Sequence, residues 1–573
     1  MYILGLRAGG YDTSCALMKD GKIVCAICEE RLTREKRTKR FPINAVKYCL
    51  EHEKISISDI NHVVVPWNPG INLERTFTAH SEIHRFMPEM LYSIPNYLIG
   101  ISDEPTTEIE QAIKFGKREI RVHYLNHHLC HSALPYYTSG FGKALILSMD
   151  AWGEKTSTLL GMADKGRIEK LWEIEFPNSL GMFYQTMTEY LGFSPQGDEW
   201  KVMGAASYGN KDRYKDKIFQ LIHPARDGKF EVNLSFFDYM SFTKKYHFSD
   251  KMVNLLGPKR SKAEKLTERH IDIASAVQHV FEEIVFHILN KNKAGNVNNL
   301  CLSGGSAMNC VANGKISWRT RFKNVSISFA PDDAGSSIGA CFFYWYNNVA
   351  RFSPSGNKLL SPYLSKDCDD GQIKSALNGF KIAYKELKDP ARTAAELIAE
   401  GEMVGWFQGK MEFGQRALGN RSILADPRVK EMKDRINNAV KFRESFRPFA
   451  PSILDEYGDE YFERYEFIPY MEKVLNFKKG KGRLVPAVCH ADGTGRLQSV
   501  SKRLNPLFWE LIDEFRKITG IPMVLNTSFN LNGEPIVHSV KDALRTFYSC
   551  GLDILIIGRY LVRKDVGDVK SST

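Results

Sequence analysis

The first 25 residues alternate like a hairpin, apolar strands with polar turns. YILGLR, TSCALM and KIVCAIC are apolar runs, and the last two flank the turn signal Lys19-Asp20-Gly21-Lys22, which predicts strands joined by a tight hairpin. The pattern returns in LILSMDAWGEKTSTLLGMADKGRIEKL at 145–171. In both places an apolar strand meets a Gly-containing turn, Thr-Ser opens a second strand, and Gly-Lys-Ile or Gly-Arg-Ile turns into a third. Recurrence about 140 residues on predicts a duplicated α/β half-domain, the arrangement that a nucleotide cleft between two similar halves requires.

A third element, NNLCLSGGSAMNCVANGKI at 298–316, reads as a strand, a Gly-Gly turn at Gly304-Gly305, and a helix from around Ser306. Backbone N–H groups at such a turn favour an anion, although tight strand–helix packing asks for the same glycines. VSISFAPDDAGSSIGACFFYWY at 325–346 predicts a strand, an acidic turn and a small-residue helix start. The segment 350–370 has no clean period and carries two Ser-Pro pairs. It sets the expected division into residues 1–355 and 356–573. Beyond it, polar stretches at 405–428, 437–454, 490–500 and 520–537 place Arg and Lys among Gly, Asn and Ser beside apolar strands. Few acids alternate with them, which suits a pocket for phosphate and a planar carbonyl group better than a solvated face.

At 573 residues the chain exceeds one hydrophobic core, and 43% hydrophobic with 25% charged residues is ordinary for a globular protein. No apolar run approaches the ~20 residues of a membrane span, and the N-terminus lacks the pattern of a signal peptide. Eleven cysteines are scattered singly, apart from Cys25 and Cys28 inside a strand-like run. Buried free thiols and a reducing cytoplasm fit that usage. The formal charge of +11 reads either as a solvated surface or as preference for a polyanionic partner, with RLTREKRTKR at 31–40 and GPKRSKAEKLTER at 257–269 the basic stretches.

Three of the 15 histidines fall together in NHHLCHS. His127 and His131 are four apart and share a face if the segment is helical, while His128 points elsewhere. Asp150, closing the strand LILSMD, and Asp333, in the turn PDDAG, are strand-end carboxylates that could complete a shell for Fe(II), Mn(II) or Zn(II). Asp332 competes for the last place. The alternative is a helix whose histidines pack and hydrogen-bond locally.

The blocks YDTSCAL, EERLTREK, NHHLCHS, SMDAWGE, GDEWKVMGAASYG, LSGGSAMNCVANGKI, PDDAGSSIGA, MEFGQRALGNRSIL, FRESFRPFAPSIL, DGTGRLQSV and LNTSFNLNGEPIV follow one another along nearly the whole chain. In that order they resemble the NodU/CmcH-type O-carbamoyltransferases, a family that includes nodulation-factor, cephamycin and tobramycin carbamoyltransferases. The resemblance implies an actin/hexokinase-type duplicated ATPase fold, similar to the tRNA threonylcarbamoyl-transfer enzymes, followed by a YrdC-like α/β domain. It implies that carbamoyl phosphate and ATP, with Mg, form a carbamoyl-adenylate in the C-terminal domain, and that the N-terminal domain passes the carbamoyl group to an acceptor hydroxyl. Metal ligands then fall on His127, His131, Asp150 and Asp333, with iron the usual ion. The carbamoyl-phosphate and adenylate pocket falls on Arg416, Lys441, Arg447, Arg496 and the Asn526-Thr527-Ser528 turn, with Arg416 and Lys441 offsetting developing charge. Gly304, Gly305 and Asn309 match the nucleotide-binding turn, and Asp12 is a candidate base.

The chain departs from the family pattern at Tyr11-Asp12, where many relatives have His-Asp, and at Cys130 and Ser132, where alanines are usual. The first departure leaves the acceptor open. Hydroxymethylcytosine in DNA, or its nucleotide, would suit the basic stretches. A small sugar-like or natural-product hydroxyl is the other class. Threonylcarbamoyl transfer to tRNA and a non-catalytic ATP-binding role stand further off, and an oligomer is left open.

Overall fold

A computed structural model describes residues 1–68, 108–115, 118–241, 243–292, 297–354, 359–442, 447 and 449–564. Residues 355–358 of the expected boundary, and 443–446 and 448 of the FRESFRPF block, lie outside the described residues. The chain divides into two compact units, Met1–Glu29 with Lys39–Leu360, and Glu30–Thr38 with Ser361–Thr573.

In the first unit the expected hairpins form. Strands β1 (Tyr2–Arg7), β2 (Ser14–Lys19) and β3 (Lys22–Cys28) run antiparallel. The β2–β3 turn is Asp20-Gly21, both with positive φ, the two-residue geometry whose twist matches the flanking strands. β4 (His62–Val65) and β6 (Arg118–Leu125) continue the sheet in parallel beyond β1, and β5 (Glu108–Phe115) edges it, giving the order β3-β2-β1-β4-β6-β5. The second sheet comprises β7 (Lys143–Gly153), β8 (Thr156–Asp164), β9 (Arg167–Glu175), β12 (Asn299–Ser303) and β13 (Asn324–Ile327), with a small ribbon, β10 (Ile222–Pro224) and β11 (Phe230–Val232), between them in the chain. Its order, β9-β8-β7-β12-β13, repeats β3-β2-β1-β4-β6 with the same antiparallel and parallel pairings. This repeated topology is the duplicated actin/hexokinase-type fold.

Each half closes with a helix after its last parallel strand: α1 (His127–Ser139) after β6 and α4 (Ser336–Asn348) after β13. α1 is buried on nearly every face, as its apolar and small residues allow. Ala144–Leu147 of β7 are fully buried beneath it. Within the second half, between β9 and β12 in the chain, lie α2 (Leu180–Tyr190) and α3 (Glu268–Lys291), which buries Ile273, Val277, Phe281, Ile284 and Ile288 at helical spacing. Two local expectations are corrected. β7 continues past Asp150 to Gly153, with its pairing to β8 irregular between Met149 and Gly153, so Asp150 sits on a bulge rather than at a strand end. The helix expected from Ser306 is a 3-10 turn, Gly305–Met308, followed by a four-residue helix, Cys310–Asn313, because Asn309 is non-helical and caps the second piece by accepting the N–H of Ala312.

The second unit is built on an eight-stranded mixed sheet. Its strands are β14 (Lys385–Glu386), β15 (Val404–Phe407), β16 (Arg421–Ala425), β17 (Ala450–Leu454), β20 (Gln498–Val500), β21 (Met523–Ser528), β22 (Ile554–Ile557) and β23 (Tyr560–Arg563). A ribbon of β18 (Val474–Asn476) and β19 (Thr494–Arg496) flanks it. Period-two patterning feeds two apolar layers: Ile423, Leu525, Leu555 and Ile557 on one face, Leu424, Val524, Ile554 and Ile556 on the other. Helices Pro390–Ala399 and Pro506–Thr519 cover the second face.

Part of each basic stretch is structural. Within the second unit Arg31 donates to the Gly414 carbonyl (2.7 Å), and Arg34 to the carbonyls of Ile536 (2.7 Å) and Pro535 (2.8 Å). In the first unit Arg260 donates to the Leu191 carbonyl (2.6 Å), and Arg269 to those of Leu256 (2.9 Å) and Pro258 (2.6 Å). Among the described residues no helix is long and apolar enough to cross a membrane. None of the eleven cysteines is in a disulfide.

α1 and α4 meet closely at Gly339, where a Cβ would stand 2.0 Å from the Cys130 carbonyl oxygen. The Gly339→Ala variant must separate the two helices, and is expected to destabilise the first unit by about 1–3 kcal/mol, read as a lowered midpoint of its thermal unfolding.

Candidate functional site

Four side chains converge in the first unit. The helix α1 begins where Asn126 accepts the N–H of Leu129 (3.0 Å) as its N-cap. The Glu154 carboxylate accepts the N–H of Asn68 (2.6 Å), the Asn126 Nδ2 (2.9 Å) and the N–H of His127 (3.1 Å). This fixes the helix start, and the four-residue spacing brings His131 over His127, their Nε2 atoms 3.0 Å apart. From the β7 bulge Asp150 Oδ2 reaches both imidazoles, at 3.4 Å from His127 and 3.3 Å from His131. From the turn before α4 Asp333 Oδ1 does the same, at 3.4 and 3.2 Å. Asp333, not Asp332, completes the group.

Three of the four ligands are oriented through their other atoms. His127 Nδ1 donates to the Pro66 carbonyl (3.1 Å), which leaves the Nε2 lone pair facing the cluster. Asp150 Oδ1 accepts the N–H of Ala151 (2.7 Å), and Asp333 Oδ2 accepts from Arg7 (2.5 Å), so one carboxylate oxygen of each points inward. His128 is the bystander its position implied. Its Nε2 donates to the Thr156 carbonyl (2.9 Å) and its Nδ1 accepts from Ser148 Oγ (2.9 Å), while burial and the neighbouring histidines push it down to about 3.

The set fits a divalent ion. Ligands about 2.1 Å from a common centre lie ~3.0 Å apart at octahedral and ~3.4 Å at tetrahedral angles. Five of the six edges, 3.0 to 3.4 Å, span those values, and all lie within 4.8 Å. Two nitrogen lone pairs and two inward carboxylate oxygens also need a cation between them. Without a metal a proton fills that role: burial alone would lower His127, but hydrogen bonds to Asp150 and Asp333 lift it to about 10. Both carboxylates sit below the usual range despite burial, held there by Arg7 for Asp333 and by the histidines for both.

Beside this cluster is the Gly304-Gly305 turn, with a Cβ at Gly305 standing 3.1 Å from Asp150 Oδ1. Asn309 is spent below it: Oδ1 accepts from Ala312 N and Gln278 Nε2, and Nδ2 donates to Gln278 Oε1. Asp12 is buried in the β1–β2 turn, five residues after the end of β1, with φ of +58°.

In the second unit the sheet topology gathers part of the expected pocket. Ala450 at the start of β17 pairs with Asn526, and β20 runs parallel to β17 from Gln498. Arg447 precedes β17 and Arg496 precedes β20, so both flank the sheet end that carries Asn526-Thr527-Ser528. Asn526 donates to Ser452 Oγ (3.0 Å) and Gln498 Oε1 (3.1 Å), while among the described residues its own buried Oδ1 meets no donor and the buried Arg496 Nε no acceptor. Lys441 is buried, and its ammonium donates to the Ser528 carbonyl (2.5 Å) and to the carbonyl and Oδ1 of Asn530 (3.0 and 2.8 Å), bracing that turn. Arg416 is half-buried in the loop that Glu412 organises by accepting the N–H groups of Leu418, Asn420 and Arg421.

Sequence reasoning did not single out Arg7, Pro66 or Glu154. Pro66 and Glu154 carry no local signal, since they act through a carbonyl and a helix start remote in sequence. Arg7 had one: with LGLRAGG set against LSMDAWG it falls opposite Asp150.

Two family models match the chain, Carbamoyltransferase N-terminus over residues 2–342 and Carbamoyltransferase C-terminus over 395–564. Similar proteins include sll1178 of Synechocystis sp., 34% identical over 98% of this chain and 97% of its own length. They also include nodulation protein NolNO of Sinorhizobium fredii, 36% identical over 97% of this chain and 79% of that protein. Nodulation protein NolO of Bradyrhizobium diazoefficiens is 39% identical over 77% of this chain and 79% of its own. Among solved structures, a ROK hexokinase from Thermus thermophilus aligns over 60% of this chain and 98% of its own, with 11% identity and a TM-score of 0.30. At that score the fold rests on the sheet topology above.

The geometry makes metal uptake compete with a proton on His127 while both carboxylates stay ionised. The apparent affinity for Mn(II) or Zn(II), read by calorimetry, is expected to rise about tenfold per pH unit from about pH 6 to 8. Gly153→Ala, whose Cβ would fall 2.1 Å from His127 Cδ2, is expected to weaken binding at every pH.

Proposed function

The chain belongs to the carbamoyltransferase family, and on that premise we propose that it is an ATP-dependent O-carbamoyltransferase working through a carbamoyl-adenylate. The observation that carries this reading is the buried His127–His131–Asp150–Asp333 group, four ligand atoms within 4.8 Å of one another with their second atoms anchored. The second unit, which we read as the YrdC-like adenylate-forming domain, takes carbamoyl phosphate, water and ATP to carbamoyl-adenylate, pyrophosphate and phosphate. Arg416, Arg447 and Arg496 would bind the phosphoryl groups of the two reactants, since guanidinium forks match phosphate oxygens. Lys441 would add a fixed positive charge at the Asn526–Ser528 turn as negative charge develops.

In the first unit Gly304 and Gly305 offer backbone N–H groups to the nucleotide. His127, His131, Asp150 and Asp333 would hold a divalent ion, iron by family resemblance, which supplies Lewis acidity toward the carbamoyl carbonyl when bound. The acceptor O–H attacks the carbamoyl carbon, the bond from that carbon to the adenylate oxygen breaks, and AMP departs with the electron pair. Asp12 is the candidate to take the acceptor proton.

For the acceptor we favour a small sugar-like or natural-product hydroxyl. Four of the eleven cations in the two basic stretches, Arg31, Arg34, Arg260 and Arg269, are spent on backbone carbonyls, which leaves fewer for a DNA backbone. Hydroxymethylcytosine in DNA remains an arm of the test. Threonylcarbamoyl transfer to tRNA is the remaining enzymatic alternative, and threonine-dependent ATP turnover would reveal it.

His127→Ala is expected to abolish carbamoyl transfer in a mass-spectrometric assay with carbamoyl phosphate, ATP, Fe(II) and a panel of sugars, nucleotides and hydroxymethylcytosine DNA. Pyrophosphate release should stay near the wild-type rate. Loss of pyrophosphate release in this variant, or survival of transfer, would show that the two half-reactions are not divided as proposed.

A further inference from the structure

We propose that His490 selects the carbamoyl group in the second unit, its Nε2 lone pair accepting an amide N–H of the ligand whose phosphoryl group Arg496 receives. This deepens the adenylate-forming reaction proposed above and rests on it. Three observations converge on His490.

The first is the tautomer. The stretch HADGT closes on itself: the His490 N–H donates to the Thr494 carbonyl (2.8 Å), and the N–H of Gly493 to the His490 carbonyl (3.0 Å). Asp492 Oδ1 accepts both the N–H of Thr494 (3.1 Å) and its hydroxyl (2.7 Å). With its one proton given to a carboxylate, the Thr494 hydroxyl oxygen accepts from His490 Nδ1, 3.0 Å away. Nδ1 therefore carries the ring proton and Nε2 a lone pair. Burial, aided by Arg496 and Lys433 and opposed by Asp492, pushes the imidazole down to about 4, so it is uncharged at neutral pH.

The second is the unmet acceptor. Nε2 is buried and meets no donor among the described residues. A buried lone pair without a donor is costly, and a ligand N–H relieves that cost.

The third is the neighbour. Along Thr494–Leu497 the side chains alternate. Leu497 lies in the apolar core, and a Cβ at Gly495 would stand 2.8 Å from the core residue Phe477, so Thr494 and Arg496 face the other side. The His490 ring, held by Thr494, shares the face of Arg496. A lone pair beside a bound phosphate cannot pair with phosphate oxygens, which are acceptors too, so it needs a donor on the same ligand. In carbamoyl phosphate the amide nitrogen is two bonds from the ester oxygen, whereas the adenine amino group of ATP lies beyond the ribose. The amide N–H is the donor within reach. Acetyl phosphate, of the same shape with a methyl in place of the amine, leaves Nε2 unmet and is rejected.

The test measures, by calorimetry and without ATP, the binding of two stable mimics to the full-length protein: phosphonoacetamide, which keeps the amide, and acetonylphosphonate, its methyl ketone counterpart. Wild type is expected to bind phosphonoacetamide about tenfold more tightly or better. His490→Ala should cut the preference to about twofold or less by weakening phosphonoacetamide alone. His490→Gln, whose amide oxygen can replace Nε2, should recover part of it, and Thr494→Val, which releases Nδ1, should reduce it. Three results would overturn the proposal: no preference in wild type, unchanged preference in His490→Ala, or equal loss of both mimics in that variant, which would reduce His490 to a brace of its turn. Wild-type pyrophosphate release without the binding preference would remove the role of His490 and leave the proposed function standing. The preference without pyrophosphate release would keep the site and remove the adenylate step.

Discussion

Two carboxylates and two imidazoles aimed at one buried point cannot coexist without a cation, and the first unit is organised around that constraint. The ligands come from both halves of the duplicated fold. α1, closing the first half, brings His127 and His131; β7, opening the second, brings Asp150; the turn before α4, closing the second, brings Asp333. Elements far apart in the chain are thereby tied together, and the close contact of α1 with α4 at Gly339 sets the distance between the two histidines and Asp333. The anchors on the outer atoms, Pro66, Ala151 and Arg7, matter as much as the ligands, because they determine which lone pairs face inward.

Arginine plays two distinct parts. Arg421 is fully buried and donates to the carbonyls of Gln408, Gly409 and Asn420, over the Phe407 ring, so it is a structural cation locking the loop that leads into β16. Arg31 and Arg34 are of the same kind. Arg7 differs, since it pairs with the Asp333 carboxylate.

Local pattern carried much of this. Period-two runs and the Asp20-Gly21 turn located the hairpins, and their recurrence exposed the duplication before any coordinates. The histidine pair was visible from its spacing. Choosing Asp150 and Asp333 to complete it drew on family resemblance as well as on their place after strands, and the β7 bulge that aims Asp150 had no local signal. What was hidden is non-local. Nothing near Arg34 in sequence foretells the carbonyls of Pro535 and Ile536, so a basic run looked like a surface. The break at Asn309 escaped notice because its side chain caps a helix instead of meeting a ligand.

X-ray absorption at the metal edge of the Fe(II)- or Mn(II)-loaded protein tests the central claim most directly. The account predicts a first shell of nitrogen and oxygen at about 2.0–2.2 Å, outer-shell scattering from two imidazoles, and loss of one imidazole contribution in His131→Ala. A sulfur scatterer, or a spectrum with no imidazole, would place the ion elsewhere and contradict it.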